Sequence, residues 1–284
     1  MRILILGISG MLGSAAFRFL SAESRFDVYG SARKDSIKQY FDNKLQHKII
    51  YGVDINNHDS LIHIFEAIKP NIVINCIGLV KQLAQAEDPL LAIPINALLP
   101  HRLAHLSKIA GARLIHMSTD CIYSGSRGMY VEADLSDAQD LYGRSKFLGE
   151  VDYPNAITLR TSIIGHELDG SKSLVNWFLS QEGSVRGYTK AIFSGLPTVE
   201  IVRIIKEFVL PNPQMHGVYH LSVEPINKFD LLQLIRIKYG KKIKIIPDES
   251  FSIDRSLNSS KFRLETGFIP KPWVQLISEM HEFR

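Results

Sequence analysis

The chain opens on Arg2–Leu6, a continuous apolar run stopped by Gly7, which is the pattern of a parallel strand covered on both faces. A helix is predicted over Met11–Ser21. Phe26–Tyr29 reads as a second strand ended by Gly30, and Lys48–Tyr51 as a third. Asp54 then precedes a helix from about Ser60 to Ile68, broken by Lys69 and Pro70. Asn71–Asn75 is a fourth strand, His101–Ala110 a helix ended by Gly111, and Arg113–Met117 a fifth strand. Leu141–Val151 reads as a helix and Ala156–Arg160 as a sixth strand. Strands alternating with helices predict βαβ units, and right-handed crossovers then give a doubly wound α/β sheet, parallel throughout.

Beyond Arg160 the alternation loosens. Helices are predicted over Ser173–Ser180, Thr198–Val209, Phe229–Tyr239 and within Lys271–Glu282. Short strands are predicted over Gly217–Leu221 and Lys242–Ile246, while Gly183–Gly195 is glycine-rich and mixed. A second, smaller part is expected from about residue 165 onward, interleaved with the sheet rather than joined by a linker. The basic run Lys241, Lys242, Lys244 fits the solvated side of an alternating strand.

Composition narrows the class. Thirty-three Lys and Arg against 29 Asp and Glu leave a net charge of +4 over 284 residues, too weak a bias to argue for nucleic acid or a membrane surface. No apolar run approaches the roughly 20 residues that span a bilayer, and Met1–Gly7 lacks the flanks of a signal peptide. The two cysteines, Cys76 and Cys121, both sit in apolar, strand-like runs and fit reduced thiols in a cytoplasmic protein. No metal-ligating set is read from the sequence.

The chemistry begins at Gly7, Gly10 and Gly13, spaced G-I-S-G-M-L-G directly after the first strand. The first glycine permits a tight turn, the second lets backbone approach a pyrophosphate, and the third lets the helix pack close to the sheet. The free N–H groups and positive dipole end of the next helix suit phosphates. An acidic residue at the end of the second strand would hold the ribose hydroxyl of NAD. The sequence has Ser31, Arg33 and Lys34 there, which suit the 2′-phosphate of NADPH, with NADH as the alternative. Asp54 either accepts from the adenine amino group or caps the following helix.

Tyr142 and Lys146 lie four apart on a predicted helix and so share a face. An ammonium there would lower the tyrosine pKa from its usual value of about 10, and the phenol could donate a proton to a carbonyl oxygen receiving hydride. Ser118, Thr119 and Asp120 end the fifth strand, at the carboxyl edge where open α/β sheets bind ligands.

Together with G-x-x-G-x-x-G, the segments S-T-D-C-I-Y-S-G (118–125), Y-V-E-A-D (130–134), Y-G-R-S-K-F-L-G-E (142–150), L-R-T-S (159–162), G-V-Y-H-L-S (217–222) and the Arg255 segment with Asn258 and Lys261 follow in order. The chain thereby resembles the extended short-chain dehydrogenases/reductases with a Rossmann fold, and within them the dTDP-4-dehydrorhamnose reductase-like family. The resemblance implies a catalytic set of Thr119, Tyr142 and Lys146. It implies a cofactor site at Gly7, Ser9, Gly10, Met11, Leu12, Gly13, Ser31, Arg33, Asp54, Ile55, Cys76, Ile77 and Gly78, closed by Tyr142 and Lys146. Asn96 matches a helix asparagine common in such reductases. Thr119, Asp120, Ile163 and Arg255 are implied substrate contacts, Arg255 gripping phosphate unless it pairs with Asp254 or Glu265. Residues 1–164 would bind the dinucleotide, completed by about 198–222, with 165–197 and 223–284 holding the substrate.

The implied activity is reduction of a nucleotide-linked 4-keto-6-deoxy sugar by NADPH, in deoxysugar and surface-polysaccharide biosynthesis, by a cytoplasmic enzyme that is a monomer or homodimer. The family usually has tryptophan where this chain has Ile163, and N-C-I-G-L-V-K (75–81) departs from the usual alanine-rich segment. A UDP-linked 2-acetamido-2,6-dideoxy-hexulose is therefore an alternative substrate. A nucleotide-sugar epimerase or dehydratase, and a non-catalytic dinucleotide-binding regulatory subunit, are the alternative classes.

Overall fold

The computed structural model describes residues 1–81 and 84–284. Its strands are β1 (Arg2–Leu6), β2 (Asp27–Ser31), β3 (Ile49–Ile50), β4 (Ile72–Asn75), β5 (Arg113–Ser118), β6 (Ala156–Arg160), β7 (Ile163–Ile164), β8 (Ser184–Phe193), β9 (Leu196–Pro197), β10 (Gly217–His220), β11 (Ile226–Asn227) and β12 (Lys244–Asp254). Seven of them form one sheet in the order β10-β6-β5-β4-β1-β2-β3, with every pairing parallel. Successive β1 side chains point to opposite faces. Ile3 and Ile5 enter one apolar cluster with Phe17, Ile74 and Ile115, while Leu4 and Leu6 enter another with Leu61, Val73 and Leu114. Burial on both faces explains the unbroken apolar run. The result is the doubly wound Rossmann-like α/β architecture that the alternation predicts.

The strand order reverses between β1 and β4. That is the switch point where such sheets open a crevice at their carboxyl ends. The registers Leu6↔Ser31, Leu6↔Asn75, Asn75↔His116, Ser118↔Arg160 and Arg160↔His220 align those ends along one edge.

The remaining strands form a three-stranded sheet, β11-β8-β12, and the pair β7-β9. Here the sequence reading needs correction. Gly183–Gly195 contains the ten-residue strand β8, and the predicted Lys242–Ile246 strand is the eleven-residue β12. The two pair in parallel, so each strand's backbone finds its partner about 60 residues away in sequence. Lys241 precedes β12 and donates to the Leu179 carbonyl at 2.6 Å, whereas Lys242 and Lys244 are exposed.

Other boundaries also move. Gly30 does not end β2 but continues it to Ser31. A Cβ there would lie 2.7 Å from Ile8 Cδ1 and 3.2 Å from a Phe17 ring carbon, so glycine is needed for packing rather than as a stop. The helix predicted from His101 is Leu99–Ile109, preceded by helical turns from Pro89 that include a π-helical turn, Ile93–Leu98. The helix predicted to reach Val151 ends at Leu148, capped by Gly149, whose absent Cβ would meet the Asn96 carbonyl oxygen at 1.9 Å. A second π-helical turn, Ile205–Val209, ends the helix that begins at Thr198. Cys121 lies in a short helical turn, Asp120–Ile122, not in a strand.

Candidate active site

Gly7 has φ +87° and turns the chain out of β1; a side chain there would strike Ile77 Cγ1 at 2.8 Å. A Cβ on Gly13 would lie 2.2 Å from the Gly7 carbonyl oxygen, so the helix Met11–Ser21 approaches the turn as only glycine permits. The Gly10 N–H closes the turn on the Gly7 carbonyl at 3.1 Å. The first intrahelical bond runs from Ser14 N–H to the Gly10 carbonyl at 2.9 Å, leaving the amides of Met11, Leu12 and Gly13 ahead of it. Ser9 and Gly10 are exposed at this end, and no side chain caps it. These groups fit a dinucleotide pyrophosphate: orphan donors, a positive dipole end and no Cβ in the way.

Around this turn the structure gathers several sequence-derived candidates. Ser31 is buried, and its carbonyl accepts from the Ile8 N–H at 3.1 Å and its hydroxyl from the Gly7 N–H at 3.4 Å. Arg33 and Lys34 follow it, both exposed. Asp54 does not cap the next helix. Asn57 does, accepting from Asp59 and Ser60, while Asp54 accepts from the Asn56 N–H at 3.0 Å, and half-buried Ile55 packs beside the turn. Cys76, Ile77 and Gly78 emerge from β4 directly across from Gly7. Burial pushes the Cys76 thiol up to about 12, so it is an unreactive thiol. Gly78 leaves a lane beside Lys146: a Cβ there would lie 3.5 Å from Asn96 Oδ1 and 3.7 Å from Lys146 Nζ. Asn96 is buried in the π-helical turn. It accepts from the Leu79 N–H at 2.9 Å and donates to Ser145 Oγ at 3.2 Å, tying the Gly78 loop to the Tyr142 helix.

Asp140 starts the helix Leu141–Leu148 by accepting from the Gly143 N–H at 2.7 Å. Gly143 lets this helix press on the turn after β5, where a Cβ would come within 2.4 Å of the Cys121 carbonyl oxygen. That approach sets Tyr142 beside the turn that carries Thr119 and Asp120. Thr119 accepts from the Cys121 N–H at 3.2 Å and donates to Asp120 Oδ1 at 3.2 Å.

The expected lowering of the Tyr142 pKa is not what the structure gives. Burial pushes it up, the neighbouring Cys121, Asp120 and Asp140 add to the rise, and only Thr119 pulls it down. The ammonium of Lys146 is turned instead to the Met117 carbonyl at 2.7 Å. Burial pulls Lys146 down to about 8, against the opposing pull of Glu150 and Cys76.

Arg255 forms neither of the ion pairs considered from sequence. Its Nε donates to the Tyr123 carbonyl at 2.7 Å and its Nη1 lies 3.7 Å from Cys121 Sγ, while Asp254 accepts from the Ser256 N–H and Glu265 from Tyr219. Ile163 is half-buried in β7, paired to Leu196.

A polar network under the site went unrecognised from sequence. Ser118 Oγ donates to Glu150 Oε1 at 2.6 Å, and Arg160 binds both oxygens of that carboxylate, Nε at 2.8 Å and Nη2 at 2.6 Å. Arg160 Nη1 also reaches the Tyr123 hydroxyl at 2.8 Å and His220 Nε2 at 3.2 Å. Since arginine only donates, His220 Nε2 accepts and its Nδ1–H donates to the Tyr130 carbonyl at 3.0 Å. On the other side, Asn75 contacts His116 Nδ1 at 3.1 Å and accepts from the Ile77 N–H, bracing the Cys76–Gly78 turn. The available signal was a charged or imidazole side chain within an otherwise apolar strand, as in A-I-T-L-R and R-L-I-H-M. Among the described residues no cluster of His, Cys, Asp or Glu could hold a metal ion, and no helix is long and apolar enough to cross a membrane.

Comparison with known proteins extends over nearly the whole chain. It is 25% identical to the dTDP-4-dehydrorhamnose reductase of Aggregatibacter actinomycetemcomitans over 235 residues, 79% of this chain and 74% of that protein. It is 24% identical to the methionine adenosyltransferase 2 subunit beta of Danio rerio over 244 residues, 81% of this chain and 71% of that one. Its fold superposes on the crystal structure of the Bacillus anthracis dTDP-4-dehydrorhamnose reductase in complex with NADP with a TM-score of 0.78 at 22% identity, covering 99% and 98% of the two chains. A family model described as the RmlD substrate binding domain matches residues 1–282, from the glycine turn to the last helix. On that match the chain belongs to the RmlD substrate binding domain family.

Proposed function

We propose that this chain is an NADPH-dependent reductase of a nucleotide-linked 4-keto-6-deoxy sugar, acting in cytoplasmic deoxysugar biosynthesis. The observation that carries the reading is the meeting of Thr119, Tyr142 and Lys146 at the carboxyl edge of the sheet, beside an open glycine turn. Residues 1–164, with about 198–222, hold the dinucleotide. Residues 165–197 and 223–284 hold the sugar nucleotide.

When bound, the dinucleotide supplies a hydride to the sugar C4. The chain's own residues handle the oxygen. Tyr142 keeps its proton through the neutral range because burial raises its pKa, so it is a phenol ready to donate as negative charge grows on that oxygen. Thr119, on the turn beside Tyr142, orients the same oxygen, and Asp120 beside it accepts from a neighbouring hydroxyl of the sugar. Lys146, reaching past Gly78, holds the nicotinamide ribose and offsets the phenolate left after proton transfer. Met11, Leu12 and Gly13 bind the pyrophosphate through their amides, and exposed Arg33 faces the 2′-phosphate, while buried Ser31 holds the glycine turn. Ile163 opens room where relatives of this type usually carry tryptophan, which keeps a UDP-linked 2-acetamido sugar in contention with the dTDP-linked one.

The test is NADPH oxidation with a panel of dTDP- and UDP-linked 4-keto sugars. Wild type turns over at least one of them, and Tyr142→Phe loses roughly 10²–10⁴-fold in kcat with unchanged NADPH affinity. Near-normal turnover by Tyr142→Phe on that substrate refutes the assignment. A second reading, a dinucleotide-binding subunit without turnover, is favoured by the similarity to methionine adenosyltransferase 2 subunit beta. It requires NADPH binding with no oxidation across the whole panel. We also propose a homodimer, because Leu90, Ile93, Leu98, Phe147 and Leu148 are exposed apolar side chains on adjacent helices.

A further inference from the structure

Asn75 at the end of β4 and His116 in β5 are register partners, and both side chains are fully buried. Only one orientation of the Asn75 amide serves its neighbours. Its Oδ1 accepts from the Ile77 N–H at 3.1 Å, so its Nδ2, which can only donate, is the atom that meets His116 Nδ1 at 3.1 Å. His116 Nδ1 therefore accepts. Burial pushes the imidazole pKa well below its ordinary value, so the ring is neutral and its one proton sits on Nε2. Among the described residues that Nε2–H has no partner. A buried donor without a partner destabilises a fold, and an apolar side chain would avoid it. The one side-chain hydrogen bond His116 makes among the described residues is the one it accepts from Asn75.

That bond reaches the site through the Cys76–Leu79 segment. Asn75 Oδ1 holds the Ile77 N–H, and Asn96 Oδ1 holds the Leu79 N–H at 2.9 Å, so two asparagines fix the segment from both ends. Ile77 Cγ1 lies 2.8 Å from where a Cβ on Gly7 would be, and Lys146 Nζ lies 3.7 Å from where a Cβ on Gly78 would be. A shift of this segment therefore disturbs the glycine turn and the lane beside Lys146 together. We propose that His116 is a positioning residue for the dinucleotide: by accepting from Asn75 it fixes the amide that holds the Ile77 N–H, and so sets the Cys76–Gly78 turn between Gly7 and Lys146. That role presupposes that the turn lines the cofactor site.

The experiment is fluorescence titration of NADPH into wild type, His116→Leu and His116→Asn, with Tm measured on each. His116→Leu fills the space without an acceptor. His116→Asn is smaller and leaves a void, but its Oδ1 can stand in for Nδ1. The expected result is a loss of NADPH affinity of roughly tenfold or more in His116→Leu, about 1.4 kcal/mol, with His116→Asn within about threefold of wild type. Tm should run the other way. His116→Leu should stay near wild type, because it exchanges one unpaired donor, His116 Nε2–H, for another, Asn75 Nδ2, while the void in His116→Asn lowers Tm. A long-range ¹⁵N–¹H spectrum of the wild type, with the His116 signal assigned by its loss in the variants, should show the Nε2–H tautomer unchanged from about pH 5 to 9. Wild-type affinity in His116→Leu overturns the proposal. So does an affinity loss that follows Tm, larger in His116→Asn than in His116→Leu, which makes His116 a packing residue, and so does a ring protonated on Nδ1. Each of these leaves the reductase reading in place. Failure of the wild type to bind NADPH overturns both this proposal and the dinucleotide site on which it rests.

Discussion

Replacing Arg160 with methionine would test the network beneath the active site. The Arg160–Glu150 pair is almost fully desolvated, with the two side chains 5% and 6% exposed. Methionine fills similar volume but removes both bonds to the carboxylate and those to Tyr123 and His220. Glu150 would keep only the Ser118 hydroxyl as partner. A buried charge stripped of its counter-ion costs about 3–5 kcal/mol. Typical total stabilities are only about 5–15 kcal/mol, so the variant should sit close to unfolding. Urea denaturation at neutral pH would measure the loss as a lower midpoint at unchanged slope. The paired change Glu150→Met with Arg160→Met removes both charges. It should recover about 2 kcal/mol or more of the single-variant loss, short of full recovery because Tyr123, His220 and Ser118 each lose a partner worth about 1 kcal/mol. A cost under about 1 kcal/mol for Arg160→Met, or a double variant no more stable than the single one, would refute the argument. Ser118 precedes Thr119, so a folded Arg160→Met should also lose kcat more than it raises KM.

Two further outcomes follow from the site. With Lys146 pulled from the usual 10.5 to about 8, the chain loses the ammonium above that pH, so kcat/KM should fall as pH rises through about 8, and Lys146→Met should lack that limb. The sign for stability is opposite: between about 8 and 10.5 the unfolded chain binds the extra proton, so this lysine's burial penalty fades as pH rises. Gly13→Ala places a Cβ 2.2 Å from the Gly7 carbonyl oxygen, and because that neighbour is backbone the strain should cost about 1–3 kcal/mol. NADPH affinity should drop at least tenfold in a fluorescence titration, and an unchanged affinity would show that the glycine turn is not the cofactor cradle.

The central sheet was legible because its information is local. Strand burial on both faces writes an unbroken apolar run, I-L-I-L, into the first strand and a mostly apolar one into A-I-T-L-R, and both strands fall where the pattern places them. The glycine spacing was equally local: a turn, a close backbone approach and a helix start within seven residues. The four-residue spacing of Tyr142 and Lys146 fixed a shared helix face, and the order of motifs pointed to the family.

The sequence by itself could not determine quantities that depend on contacts between distant segments. β8 and β12 read as a mixed region and a short strand because each is half-exposed and finds its partner 60 residues away. The Tyr142 pKa is set by burial, which depends on how Gly143 packs against Cys121, so a two-residue argument from Lys146 gave the wrong direction. Arg255 and Arg160 both lie in motifs read from the sequence, but the sequence does not say what either one pairs with. Only the tertiary structure gives one to a backbone carbonyl and the other to a buried carboxylate. Charge interactions act through space over several ångströms, and the chain path that brings those charges together is fixed only when the whole core has formed.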